Sequence, residues 1–344
     1  MKGERMSKTI NIGIIGAGRI GRVHAETLAA MAPDVGIGMV VDANRKSAAA
    51  VARSCGAARV SNDPDEAIRD GEIDAVIVAS PTDTHAGMIV AAAQAGKHVF
   101  CEKPIALELT DIDRALAAVE RSGVIFMTGF NRRYDAGNRR LRQSVLEGKI
   151  GRPEMCVITS RDPVPPPVDY IRVSGGLFLD MAIHDFDLAR HLLGDEPVEI
   201  FAYADCLVDP EIARAGDVDT AMTVIRFAGG ALCHINNSRR AVYGYDQRVE
   251  VFGSKGMAAT DNLPLDNLTL AGPYGFAEPP LMDFFMTRYL PAYREEAVDF
   301  IRCLREGIKP SASGTDGRAA VVMALAAGKS LREKRPVRID EIVS

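Results

Sequence analysis

Long apolar runs are missing from this chain. None of its 344 residues falls in a stretch near the roughly 20 apolar residues that a bilayer-spanning helix needs, because Gly, Lys and His break the longest candidates. The charged first nine residues lack the apolar core of an export signal. Paired cysteine motifs are missing too. Cys55, Cys101, Cys156, Cys206, Cys233 and Cys303 are scattered without Cys-x-x-Cys spacing or a nearby His cluster, so no zinc site or other metal is expected. Most lie among apolar neighbours, as reduced buried thiols do, and the expected location is cytoplasmic. An excess of positive charge is absent as well. The formal net charge is −5, and an acidic surface repels phosphate polymers, so neither nucleic acid nor membrane is an expected partner. Internal repeats, low-complexity tracts and flexible linkers are lacking. With 47% hydrophobic and 25% charged residues the composition is that of a globular protein, and its length favours two closely packed domains.

The first 128 residues alternate short apolar runs with helical stretches. Strand-like runs at 10–15, 37–42, 74–79, 98–101 and 124–128 are separated by helical patterns, as in a doubly wound parallel sheet buried on both faces. After residue 129 the texture changes. Segments 220–227 and 231–238 flank Gly229-Gly230, a turn pair suited to an antiparallel hairpin. Segments 247–252 and 257–260 extend the pattern, Pro165 to Pro167 make a rigid loop, and 292–305 and 318–333 read as helices. The expected architecture is therefore an α/β domain over 1–128 and an α+β domain over 129–344. The second carries a large, mostly antiparallel, open-faced sheet, and its last helices can return to the first domain. One face of such a sheet needs cover, and a symmetric partner supplies it, so a homo-oligomer is expected.

Gly16-Ala17-Gly18-Arg19-Ile20-Gly21 has the form G-x-G-x-x-G between a strand and a helix. Gly16 permits the tight turn, Gly18 lets a pyrophosphate approach the backbone, and Gly21 lets helix and strand pack closely. Asp42 ends the second strand, 21 residues beyond Gly21. A carboxylate there accepts from both ribose hydroxyls and disfavours a 2′-phosphate, which points to NAD rather than NADP. The other readings are that Asp42 caps the next helix, or that Arg45 beside it receives a 2′-phosphate. Ser80-Pro81-Thr82-Asp83-Thr84-His85 follows the third strand at the cofactor edge. Its hydroxyls suit a ribose, and Thr82 or Asp83 equally suits a helix cap. Cofactor contacts are expected from Gly16, Gly18, Arg19, Ile20, Gly21, Asp42, Arg45, Ser80, Thr82, His85, Glu102 and Lys103.

Glu102-Lys103-Pro104 places an ammonium at the same carboxyl edge. Further along, Gly175-Gly176 precedes Asp180 and His184-Asp185. On one helix Asp180 and His184 would share a face, and the carboxylate would orient the imidazole as a general base; taken singly, such a pair also reads as structural, and the lysine as a solvated surface residue. In order and spacing these segments resemble the Gfo/Idh/MocA family of nicotinamide-dependent oxidoreductases across nearly the whole chain. Segments 130–135, 160–163 and 238–248 are similar to its inositol-oxidising members; the first is shared by several branches of the family, and the last is the more diagnostic. The resemblance implies an N-terminal Rossmann domain holding NAD and catalytic Lys103, Asp180 and His184. It implies substrate contacts near Asn131, Arg132, Asp162, Asp180, Tyr243 and Tyr245, besides Lys103 and His184. The implied reaction oxidises a secondary alcohol of a polyhydroxylated ring, myo-inositol to scyllo-inosose, with another inositol isomer or an aldose as the alternative substrate. Branches of the family that recycle NAD as glycosidases or lyases, or only sense nucleotide, remain alternatives. Dimers pairing into tetramers are likewise implied. The cluster Arg132, Arg133, Arg139, Arg140 and Arg142 reads mostly as the solvated face of one helix.

Overall fold

The computed structural model describes residues 9–343, which form two compact units. The first holds the chain as far as Asn131 together with Tyr293–Arg318, and the second holds Arg132–Ala292 and the chain from Ala319 onward.

The first unit alternates strands and helices. They are β1 (Ile10–Ile15), α1 (Arg19–Ala29), β2 (Val35–Val41), α2 (Arg45–Cys55), β3 (Arg59–Ser61), α3 (Pro64–Arg69), β4 (Ala75–Val78), α4 (Thr82–Gln94), β5 (His98–Glu102), α5 (Leu109–Ser122) and β6 (Phe126–Gly129). Every strand pair is parallel, in the order β3-β2-β1-β4-β5-β6, the Rossmann arrangement with its crevice at the carboxyl ends of the strands. The near-continuous apolar runs are what such a sheet requires. All of Ala75–Val78 is buried, as are Ile12, Ile14 and Ile15. The short β3 and α3 go beyond the sequence pattern, because the three residues Arg59–Ser61 carry no periodic signal. Asp63 caps α3 with Pro64 at its first turn.

The second unit comprises α6 (Ala136–Leu146), β7 (Pro153–Arg161), α7 (Val168–Ser174), α8 (Gly176–Asp180), α9 (Ile183–Leu193), β8 (Pro197–Asp205), α10 (Pro210–Arg214), β9 (Thr220–Phe227), β10 (Leu232–Ser238), β11 (Asp246–Gly253), β12 (Gly256–Thr260), and the β13 (Leu270–Gly272) and β14 (Gly275–Ala277) hairpin. Helices α11 (Phe285–Glu306) and α12 (Gly314–Glu333) span the unit boundaries, and β15 (Val337–Arg338) and α13 (Asp340–Val343) end the described chain. Its sheet runs β12-β11-β7-β10-β9-β8-β15. All neighbours are antiparallel except β7 and β10, which are parallel. One sheet face buries Cys156, Ile158, Ile200, Ile225, Cys233 and Val251 in a core shared with Leu177, Phe186 and Leu192 of the helices. Strict alternation of buried and accessible residues along β9 leaves the other face accessible. The expected Gly229-Gly230 turn joins β9 to β10, with Gly230 at φ +93°.

Of the five clustered arginines, Arg139 and Arg140 are exposed on α6, as the solvated-face reading required. Arg132 and Arg133 depart from it. They lie in a 3-10 turn (Asn131–Tyr134), only 6% and 5% exposed, because buried aspartates neutralise them.

Candidate active site

In the first unit the glycine loop joins β1 to α1. Gly16 has φ +104°, and a Cβ on it would stand 2.4 Å from the Ala79 carbonyl oxygen. A Cβ on Gly21 would stand 1.8 Å from the Gly16 carbonyl oxygen. Gly18 differs. It is the N-cap of α1, makes no side-chain cap, and a Cβ there would meet nothing within 4 Å. The helix N-terminus therefore opens onto free space, the geometry in which backbone N–H groups receive phosphate oxygens. Arg19 is exposed and Ile20 half-buried beside it.

Asp42 follows β2. Its Oδ2 accepts from the Ala17 N–H at 2.7 Å and its Oδ1 from the Asn44 N–H at 2.8 Å. The cap of α2 is Asn44, which accepts from Lys46 and Ser47, so Asp42 is not spent as the helix cap. It keeps lone pairs for ribose hydroxyls at the rim of the glycine loop. Arg45 is exposed at the first position of α2. The N-cap of α4 is Pro81, so neither Thr82 nor Asp83 caps it. The Ser80 hydroxyl pairs with Thr84 at 2.7 Å.

His85 is held by the backbone on both sides. Both ring nitrogens sit on backbone carbonyls, Nδ1 at 2.8 Å from Pro104 and Nε2 at 2.9 Å from Ser80, and the residue is 2% exposed. Burial lowers its pKa against the pull of those carbonyls. With both ring nitrogens on backbone carbonyls, His85 ties the β4–α4 loop to the turn after β5. Glu102 has a similar inward role. Its Oε1 lies 2.7 Å from Nε2 of the buried His24, and its Oε2 accepts from the Lys103 N–H at 3.3 Å. Lys103 is half-buried at this turn.

The second unit supplies carboxylates and an imidazole. Asp180 ends α8 and His184 lies in the first turn of α9. The expectation that one helix carries both is corrected by a break at Met181 and Ala182. The N–H groups of both residues bond the Leu177 carbonyl, which shifts the helical register. Asp180 Oδ1 accepts from the Tyr170 hydroxyl at 2.8 Å, and its Oδ2 lies 3.5 Å from Nη1 of Arg239. Arg239 is 1% exposed and also faces Asp217 Oδ2 at 3.7 Å. Neither Tyr170, Arg239 nor Asp217 was singled out as a site residue from sequence. Each lies ten or more residues from Asp180, and only the sheet brings Arg239 to it.

Asp162 is half-buried beyond β7, and desolvation raises its pKa to about 6 against the pull of Arg239 and Arg132. Arg132 donates to Asp185 at 2.5 Å and to Ser160 at 3.3 Å. Its guanidinium thus belongs chiefly to a buried network. The Tyr243 hydroxyl donates to Asp246 at 2.6 Å and accepts from Arg161 at 2.9 Å, with half the residue exposed. Tyr245 is buried edge-on against Tyr289, and Asn131 is buried in the first unit.

Residues 10–130 match the model of the oxidoreductase family with an NAD-binding Rossmann fold, and residues 138–259 match the Gfo/Idh/MocA C-terminal domain. The chain belongs to the Gfo/Idh/MocA oxidoreductase family. It is 48% identical over 334 residues to the myo-inositol 2-dehydrogenase of Thermotoga maritima, covering 97% of this chain and 100% of that one. It is 47% identical to the inositol 2-dehydrogenase of Rhizobium meliloti, covering 96% and 99%. The crystal structure of scyllo-inositol dehydrogenase from Lactobacillus casei, with bound NAD(H) and scyllo-inositol, superposes with a TM-score of 0.90 at 29% identity, covering 97% and 100%. This family member is an NAD-dependent oxidoreductase acting on a CH–OH group. The open N-terminus of α1 at Gly18 and the Asp42 carboxylate are the features of its own structure that fit NAD.

Proposed function

We propose that the protein oxidises a ring secondary alcohol of an inositol, with myo-inositol the preferred substrate and scyllo-inosose the product. The full-length similarity to inositol 2-dehydrogenases carries this reading. The chemistry of the second unit supports it. A neutral polyol presents hydroxyls all round and is held by mixed donors and acceptors rather than a charge clamp. Asp162, Asp180, Tyr170 and Tyr243 supply that mixture. Glycine loop and Asp42 hold the dinucleotide, with Arg19, Ile20, Arg45, Ser80 and Thr82 around it.

NAD, when bound, supplies the acceptor for the carbinol hydride. An imidazole nitrogen of His184 takes the proton from the reacting hydroxyl. Asp180, held by Tyr170 and Arg239, favours the imidazolium that results. The Lys103 ammonium donates to the oxygen as its C–O bond gains double-bond character, and Glu102 fixes the backbone beneath that lysine. Products are the ketone, NADH and a proton. Asn131, Arg132 and Tyr245 complete the proposed set of polyol contacts.

Pyridine-nucleotide absorbance across a panel of myo-inositol, scyllo-inositol and aldohexoses tests the reading. We expect the highest kcat/KM with myo-inositol, and a fall of roughly 10²–10⁴-fold in kcat for His184→Ala. Absence of NADH formation with every polyol would sink the assignment. Near wild-type turnover of His184→Ala at neutral pH would remove the base.

The accessible sheet face supports self-association as a homo-oligomer, and the pairing of dimers into a tetramer rests on the family resemblance alone. Met155, Tyr203, Met222, Val224, Leu232 and Phe252 are exposed on it, and Tyr203–Met222 and Met155–Phe252 are direct cross-strand partners. Six unpaired cysteines agree with a reducing cytoplasmic setting.

A further inference from the structure

Two buried ion pairs in the second unit hold residues that closely follow His184 on its own helix. Arg133 grips Asp187 through both ends of its fork, Nε to Oδ2 at 2.7 Å and Nη2 to Oδ1 at 2.6 Å, with side chains 3% and 2% exposed. Arg132 donates to Asp185 Oδ1 at 2.5 Å, with side chains 7% and 0% exposed, and Asp185 Oδ2 accepts from Asn237 Nδ2 at 2.8 Å. Ser160 Oγ accepts from Arg132 and donates to Gln247 at 3.2 Å, which continues the chain of bonds across β7 and β11. The arginines are neighbours in one 3-10 turn. The aspartates are the residues immediately after His184 and three beyond it, within the first turns of α9.

Four buried charges are a poor device for stability alone. Desolvation costs about as much as a buried pair returns, and well-packed apolar side chains serve equally well. What such pairs do supply is geometry, because a planar guanidinium held by two parallel bonds fixes its partner in orientation as well as distance. The start of α9 needs that geometry. Its N-cap is Ala182, which has no side chain to cap the helix, and the preceding helix loses register at Met181. No side chain caps this helix start, and the two carboxylates bind its first turns to the arginines instead.

We propose that Arg133 and Asp187, with Arg132 and Asp185 beside them, are positioning residues: they lock the first turn of α9 so that the His184 imidazole is held in a reactive orientation. This rests on the reading of His184 as the base. The outer pair is the cleaner subject, since neither member is a candidate substrate contact.

The test is the double variant Arg133→Met/Asp187→Leu, which removes both charges and leaves neither one buried alone. It is measured beside Arg133→Lys, His184→Ala and the triple combination, all as the full chain with NAD and myo-inositol. We expect the double variant to keep its thermal midpoint and its affinity for NAD, to hold KM within about threefold, and to lose on the order of 10²-fold in kcat, the cost of a misplacement near 1 Å. Arg133→Lys, which keeps the charge but not the fork, is expected in between. In the His184→Ala background the pair change should have no further effect, because positioning residues act only through the group they hold. Wild-type kcat in the double variant, or an equal loss with and without His184, overturns the proposal. If the double variant fails to fold, Arg133→Lys decides: unchanged kcat there overturns it as well. Full turnover by His184→Ala alone defeats the base assignment instead, so the two failures read differently.

Discussion

Asp162 shows how one residue's surroundings become a measurable quantity. Its carboxyl is desolvated beside Asp180 and Asp185, which raise its pKa, and beside Arg239 and Arg132, which lower it. The result is a value of about 6 against 3.8 for the free group. A folded-state pKa above the unfolded one means that ionisation opposes folding. The penalty is absent below pH 4, grows between pH 4 and 6, and is complete above 6. Asp162→Asn should therefore match the wild type in stability near pH 4 and exceed it at pH 7. The gain should be on the order of 1 to 2 kcal/mol once solvent screening of a half-buried group is allowed for. Thermal midpoints of both proteins from pH 4 to pH 8 check this, and curves that stay parallel would contradict it. The same change should weaken polyol binding, as expected where stability is given up for function. Residue by residue, the sequence was informative where one residue type admits one role. The tight turn at Gly16 and the close packing at Gly21 were legible from spacing alone. His85 was not, because nothing in the chain shows that two carbonyls, at Ser80 and Pro104, will close on its ring.

Among the elements, the turn from β1 to α1 separates two functions that a motif merges. Gly21→Ala forces a methyl to within 1.8 Å of a backbone oxygen, which no side-chain movement relieves. It should lower the thermal midpoint severely or prevent folding, because helix and strand must separate. Gly18→Ala meets nothing within 4 Å, so the fold should keep its midpoint. Its NAD affinity should nonetheless fall by tenfold or more, since the new methyl stands where the pyrophosphate approaches. Calorimetry and NAD titration of both variants distinguish the effects. A stable Gly18→Ala protein with full NAD affinity would show that the phosphates take another path. The break between α8 and α9 belongs to this scale too. The spacing of Asp180 and His184 suggested one helix, yet both N–H groups that follow Asp180 turn to Leu177. A residue count cannot register that shift, because the side chains at 181 and 182 are ordinary helix formers.

For the molecule as a whole, the open sheet of the second unit carries the remaining expectation. Tyr203, Met222 and Val224 lie on its accessible face at 68%, 59% and 45% exposure, with Tyr203 and Met222 directly paired across strands, an apolar surface that a second copy would cover. Charged substitutions in the middle of it, Met222→Asp with Val224→Asp, should shift the protein to a smaller species in light scattering while each fold stays intact. An unchanged mass would overturn self-association through this face.

From the chain alone came what is local or periodic: the alternation of buried strands with helices, the dinucleotide loop, the hairpin at Gly229-Gly230, and the residue types suited to redox chemistry on an alcohol. These follow from steric limits and burial acting over a few residues. Only the tertiary structure decided that Arg239 would face Asp180 across 59 positions, that Arg133 would close on Asp187 across 54, and that β7 and β10 would pair in parallel within an otherwise antiparallel sheet. Buried charges find their partners through the packing of whole elements, and that information is distributed over the chain rather than written beside either residue.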